Sequence, residues 1–191
     1  MKLSIHPLSP ELAERFFDFF DHRAFIDNPD WAGCYCTLYH YPGTQGEWGK
    51  RSGEQNRLEA ARLIEREDLR GYLAFDGEKP VGWCNVNSKS AFPFLKNDPR
   101  LKTGDDETTV SIVCFTVDPD YRGRGIAASL LERALRDYAG NPRVRFLEGY
   151  PSKTASNQAD NYVGPSKLYE KFGFSVYRGF EDIRIVRKEL V

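Results

Sequence analysis

The chain lacks any uninterrupted apolar run of the length, about 18–20 residues, that a membrane-crossing helix requires. It also lacks an excess of either charge: 27 Lys and Arg stand against 28 Asp and Glu, a net −1. Non-specific nucleic-acid binding rests on a strong surplus of Lys and Arg, so no nucleic-acid partner is expected. Cysteine is sparse. Cys34, Cys36, Cys84 and Cys114 are scattered, and Cys34 and Cys36 lie too close in sequence to bridge each other comfortably. A chain of this size with such spacing has no disulfide framework, and reduced thiols are the reading. Residues 1–7 show neither an apolar core nor a small-residue cleavage site. The expectation is a cytoplasmic protein without a membrane partner. Internal repeats and low-complexity segments are absent as well.

What is present is core-forming material. Hydrophobic residues make up 40% and aromatics 14%, with 13 Phe and 10 Tyr, which excludes disorder along the whole chain. A length of 191 residues is one domain's worth, so residues 1–191 are expected to form a single domain. A first strand is predicted over residues 2–5. Ser9 and Pro10 read as cap and first residue of a helix to Asp21, marked by Leu12, Phe16, Phe17 and Phe20. Residues 27–53 are rich in Gly, Pro, aromatics and Cys and have no period. They read as an irregular loop packed on the body, a candidate pocket wall. Ser52-Gly53-Glu54-Gln55 fits a capping box for a helix to about Glu67, with Leu58, Ala61 and Ile64 inward. Strands follow over 71–75 and 80–86 with a turn at Asp76-Gly77. Residues 88–106 read as a polar excursion. The β-branched run 109–117 reads as a central strand. An amphipathic helix to Tyr138, a strand over 143–148, a long polar loop over 149–164, a helix over 166–172 and an antiparallel pair over 174–178 and 183–187 complete an α/β chain around one mixed sheet.

The most informative stretch is Val117-Asp118-Pro119-Asp120-Tyr121-Arg122-Gly123-Arg124-Gly125-Ile126-Ala127-Ala128. A strand runs into glycines that open a helix. Unpaired N–H groups at the positive end of a helix dipole bind phosphate or pyrophosphate, and Arg122 and Arg124 add charge beside them. A nucleoside triphosphate site would have Gly-Lys-Ser/Thr at the helix start, and here Gly125-Ile126-Ala127 stands. A dinucleotide site needs GxGxx(G/A), which residues 123–128 satisfy, and Glu148 ends the next strand where a ribose-binding acid would sit. Against it, residues 118–122 separate the strand from the first glycine, and too little chain follows Glu148 to build a second nucleotide-binding half. The third ligand is the pyrophosphate arm of coenzyme A.

This stretch resembles motif A of the GCN5-related N-acetyltransferase (GNAT) superfamily, in which a hydrophobic strand and V-D-P-x-Y-R lead into (R/Q)-x-x-G-x-(G/A). Downstream, Ser166-Lys167-Leu168-Tyr169-Glu170-Lys171-Phe172-Gly173-Phe174 is similar to that family's LYEKxGF segment, and Phe146-Leu147-Glu148 to its L-E-V strand. The resemblance covers about residues 109–178. One departure is the long link 149–164, with Tyr162 where most members carry an Asn; Asn161 sits beside it. Cys34-Tyr35-Cys36 and Glu148-Gly149-Tyr150-Pro151 resemble a subgroup with a C-x-C segment and an E-x-Y-P loop.

The resemblance implies a mixed, mostly antiparallel sheet flanked by helices, and direct acetyl transfer from acetyl-CoA to an amine. It implies a small-molecule amine acceptor; protein N-terminal or lysine acetylation and a catalytically idle acyl-CoA sensor are the alternatives. It leaves a homodimer open. Cofactor binding is expected at Phe115, Thr116, Val117, Arg122, Gly123, Arg124, Gly125, Ile126, Ala127 and Asn161. A strand N–H near residues 115–117 would hold the oxyanion. Tyr169 matches the tyrosine that protonates the leaving thiolate, and Glu148 a carboxylate base. Cys34, Cys36 and His40 lack a fourth ligand and a second pair at zinc spacing, so no metal is expected. Trp31, Tyr35 and His40 are candidates for the acceptor pocket wall.

Overall fold

The computed structural model describes residues 2–155 and 161–190. Seven strands form one sheet in the order β1-β2-β3-β4-β5-β7-β6. They are β1 (Leu3–Pro7), β2 (Gly71–Asp76), β3 (Lys79–Ser88), β4 (Thr109–Val117), β5 (Phe146–Gly149), β6 (Ser175–Gly179) and β7 (Arg184–Glu189). The β4–β5 pair is parallel and every other pairing is antiparallel. The expected mixed, mostly antiparallel sheet is what the structure shows. The last hairpin folds back so that β7, not β6, lies beside β5.

The pleat sends alternate side chains to opposite faces, and both faces are covered. On one face Tyr72, Ala74, Cys84, Val86 and Phe115 meet Ile126, Leu130, Leu131 and Ala134 of α5 (Ile126–Tyr138), with Tyr169 of the short α6 (Ser166–Lys171). On the other face Leu73, Phe75, Trp83 and Cys114 meet Phe16, Phe17, Phe19 and Phe20 of α1 (Ala13–His22) and Leu63 and Ile64 of α3 (Gly53–Glu65). Two further short helices are α2 (Gln45–Trp48) and α4 (Pro93–Asn97).

Several boundaries differ from the sequence reading for physical reasons. The capping box forms: Ser52 accepts from the Gln55 amide, and Gln55 accepts from the Ser52 amide. The inward face of α3, however, is Asn56, Ala60, Leu63 and Ile64, and Leu58 is 55% exposed. The β2–β3 turn is centred on Gly77-Glu78, because Asp76 already pairs with Lys79. Arg143, Val144 and Arg145 do not extend β5, since Phe146 faces Thr109, the first residue of β4, and Glu189, the last of β7. The excursion over 88–106 is not solvated throughout: Phe92, Leu95 and Leu101 are buried against Tyr39, Val113, Tyr150 and Ile185.

Candidate active site

The centre of the sheet opens where β4 carries one residue too many. Asn85 pairs with Cys114 and Val86 with Ile112, so Val113 is a bulge. A bulge bends its strand and raises its twist. The parallel ladder to β5 ends at Ile112–Gly149, one residue before the bulge. Residues 114–117 therefore have a partner strand on the β3 side alone, and a cleft opens beside them.

The glycine loop closes one end of that cleft. Asp118 caps a turn over Pro119–Tyr121, and the chain enters α5 through Gly123 (φ 73°) and Gly125 (φ 85°). L-residues with side chains rarely adopt such angles. A Cβ at either glycine would meet nothing within 4 Å, so the space beside the backbone is open. The amides of Ile126, Ala127 and Ala128 precede the first intrahelical bond, which Ser129 donates to Gly125, and they point out of the helix start. A cleft of about 860 Å³ is walled by Phe115, Thr116, Val117, Gly123, Gly125, Ile126 and Ala127, with Arg122 and Asn161 also on its wall. Arg124 is not on that wall; its guanidinium lies over the Tyr121 ring, 5.0 Å from the centroid. Arg122 is gripped by both oxygens of Asp27 across the cleft, and this contact holds the Asp27 carboxyl below its ordinary pKa.

Three expected groups are placed less openly. The Phe115 amide, a candidate oxyanion donor, donates to the Tyr162 carbonyl at 2.5 Å. Strand alternation turns the Val117 amide, two residues on, to the same side. Tyr169 is wholly buried: its hydroxyl donates to the Val163 carbonyl at 2.6 Å, and its ring fills the space over Gly149, where a Cβ would come within 2.3 Å of ring atoms. Desolvation raises its pKa well above that of a free phenol. Glu148 is neither a solvated strand-end charge nor on the wall of either cavity. It has zero exposure; Arg187 grips Oε1, while Lys89 (2.9 Å) and the Tyr150 hydroxyl (3.0 Å) donate to Oε2. Arg187 continues to Asp105 and Lys89 to Asp106.

On the opposite face of β4 lies a second cavity of about 370 Å³. Phe25, Trp31, Thr116 and Tyr162 line both spaces, and Trp31 and Tyr162 pack at 5.2 Å between centroids. Of Trp31, Tyr35 and His40, Trp31 lines this second cavity. Tyr35 instead donates to Asp21 at 2.6 Å beneath α1, and His40 is turned toward Asn85 at 3.3 Å. Tyr35 (φ 44°) and Cys36 (φ 55°) hold left-handed backbone, which costs on the order of 1–3 kcal/mol per residue. Asn85 secures that segment by donating to the Cys36 carbonyl and Sγ. Burial raises the Cys36 and Cys84 thiols, which keeps them protonated and unreactive at neutral pH. Among the described residues no group of three His, Cys, Asp or Glu is arranged to hold a metal ion, and no helix is long and apolar enough to cross a membrane. The sequence reading missed Asp27, Lys89, Arg187 and the second cavity's polar lining. No local pattern marks them, because each acquires its place from a segment distant in the chain.

The sequence pattern of the acetyltransferase (GNAT) family matches residues 28–174. None of the curated proteins compared matches the chain. Among solved structures, an N-acetyltransferase from Staphylococcus aureus Mu50 superposes with a TM-score of 0.59 at 18% identity, covering 100% of both chains. The PaiA N-acetyltransferase from Thermoplasma acidophilum, in complex with coenzyme A, gives 0.57 at 17% identity over 99% of each chain. YncA, a putative acetyltransferase from Salmonella typhimurium with acetyl-CoA, gives 0.55 at 13% identity, covering 100% of this chain and 95% of the other.

Proposed function

Because the chain belongs to the acetyltransferase (GNAT) family, we propose that it is a cytoplasmic N-acetyltransferase, moving an acetyl group from acetyl-CoA directly to a primary amine of a small molecule. Residues 1–191 act in this reading as one catalytic domain. The observation that carries it is the coincidence, in one cleft, of the free amides of residues 126–128, the open space at Gly123 and Gly125 and the strand edge 115–117. The residues present fit coenzyme A. The helix start suits the pyrophosphate, with Arg122 beside it on exchanging Asp27 for the anion, and the Val117 end of the β4 edge offers backbone groups to an extended, amide-bearing arm. Acetyl-CoA would supply the activated thioester. The acceptor sits in the second cavity, across Thr116.

Transfer forms a nitrogen–carbon bond, breaks the carbon–sulfur bond, and takes one proton from the amine. Val117 offers its amide to the developing oxyanion, since the Phe115 amide is already engaged. Tyr169 serves the departing thiolate. Burial favours its neutral form, so its hydroxyl is a donor that can be offered to the thiolate. To do so its hydroxyl exchanges the Val163 carbonyl for sulfur. Glu148, enclosed by Lys89, Arg187 and Tyr150, holds β5 to β7 and to the 88–106 segment in this reading; the amine's proton leaves by solvent in the cleft.

A second reading, an acyl-CoA sensor, is favoured by the same two engaged donors, the Phe115 amide and the Tyr169 hydroxyl. Thiol release from acetyl-CoA, measured against amines, amino acids, aminoglycosides and peptides, separates the two. Release with a small amine supports the enzyme. Coenzyme A binding without release from any acceptor supports the sensor.

A further inference from the structure

The second cavity has two charged residues on its wall, Arg51 and Asp30. Asp30 is exposed. Arg51 is held in place. It lies between α2 and the Ser52 cap of α3, donates from Nε to Asn56 Oδ1 at 2.8 Å and from Nη2 to the Gln55 carbonyl at 3.1 Å, and sits over the Tyr41 ring at 5.4 Å. Asn56 is itself buried, 3% exposed, and its Nδ2 donates to the Gly33 carbonyl at 3.0 Å. The guanidinium is thus oriented by a fixed amide on a helix face. Its Nη1 bonds to no described residue, and no described carboxylate is ion-paired with it. An oriented fork of N–H groups with unfilled donors, on the wall of a partly open space of mixed polar and apolar lining, suits a planar carboxylate.

We propose that Arg51 anchors a carboxylate on the acceptor, so that the substrate is an amino acid or another small amine bearing a carboxylate. The inference rests on the acyl-transfer reading and narrows its substrate. Three features support it. The cavity volume of about 370 Å³ sits at the small end of ligand sites, which run from about 300 to 1,000 Å³. Trp31, Trp48 and Leu38 give the remainder of the acceptor an apolar bed, with the Trp48 indole N–H already spent on Thr37 at 3.1 Å. Arg51 is the single cation on the wall, which matches a monoanion better than a phosphate dianion. The amine end then lies toward Thr116, which is shared with the coenzyme cleft. Asn56 is a positioning residue in this scheme and acts through Arg51.

The test compares matched acceptors on the full chain: phenylalanine with phenylalaninamide, methionine with methioninamide, and 4-aminobutyrate with butylamine, each with acetyl-CoA. The wild type is expected to prefer the acid of each pair. Arg51→Met is expected to raise KM for the acids by about 10–100-fold, the loss of a charge-assisted hydrogen bond, with KM for acetyl-CoA unchanged. Arg51→Lys is expected to recover part of it. Equal use of the acid and its uncharged partner by the wild type, or an undiminished preference in Arg51→Met, overturns the anchor while leaving acyl transfer standing. If no amine is acetylated, the acyl-transfer reading falls. The anchor is then judged by melting temperature with coenzyme A present: the acids must raise it in the wild type and not in Arg51→Met, and equal shifts in both overturn it.

Discussion

At position 169 phenylalanine keeps the ring over Gly149 and removes the hydroxyl that donates to Val163. Stability should fall by about 1 kcal/mol, the net worth of one hydrogen bond. Turnover should fall by about 10–100-fold with affinity for coenzyme A unchanged, because the lost bond acts on the leaving thiolate. Steady-state kinetics and calorimetry on Tyr169→Phe read both. His40 carries a pH prediction. Burial depresses its pKa to about 4, against the opposing effects of the Asn85 contact and the Asp68 charge. The unfolded chain, with an ordinary histidine near 6.5, binds more protons between those values, so stability falls as pH drops from 6.5 to 4 and levels off below. The loss is at most about 3 kcal/mol, less where water reaches the partly exposed ring. Denaturant titrations across that window should show the slope, and His40→Gln should flatten it. The charged residues of the site were the least legible ones in sequence. Arg51 and Asp27 sit in an aperiodic segment, and their partners are fixed only when that segment docks on α3 and on the glycine loop.

Elements were legible where a local signal and the tertiary demand agree. The β-branched run 109–117 is β4 to the residue, and the capping box starts α3 where Ser52 places it. They were illegible where a neighbour decides. Arg143-Val144-Arg145 alternates like a strand, but Val144 is tied into a turn by donating to the Asn141 carbonyl, and only Arg145 adds backbone bonds, to Thr108 and Leu190, before the ladder begins at Phe146. Leu58 reads as inward until Asn56, bonded to Gly33, turns the helix by its own register. The β5–α6 contact yields the element-scale prediction. Gly149→Ala drives a Cβ into the Tyr169 ring at 2.3 Å and must separate β5 from α6. Overpacking of this kind costs about 1–3 kcal/mol. Thermal unfolding should show that loss when Gly149→Ala is made on the wild-type chain and a smaller one when it is made on a Tyr169→Ala background. Equal destabilisation with and without the tyrosine would place the strain elsewhere.

Across the whole molecule, the half of the sheet that carries the site is tied together by a buried charge network: Glu148 on β5, Arg187 on β7, and Lys89 and Asp105 from the segment between β3 and β4. Removing one charge from such a group strands the others. Glu148→Ala should cost about 3–5 kcal/mol. Glu148→Gln, which keeps an acceptor, should cost less, and once folded should retain turnover if the carboxylate is architectural; a folded Glu148→Gln that has lost turnover would restore it as a base. The order of the sheet follows from the same scale. The closing hairpin was readable, but its insertion as β5-β7-β6 comes from long-range pairing, in which Arg187 lies opposite Glu148 and bonds to it.

The account depends on the start of α5 receiving the diphosphate of coenzyme A. Amide hydrogen exchange on the full chain, with and without coenzyme A, reads this directly. Protection should appear at Val117 and at Ile126, Ala127 and Ala128. Binding without protection at 126–128, or protection confined to the second cavity, would contradict the assignment.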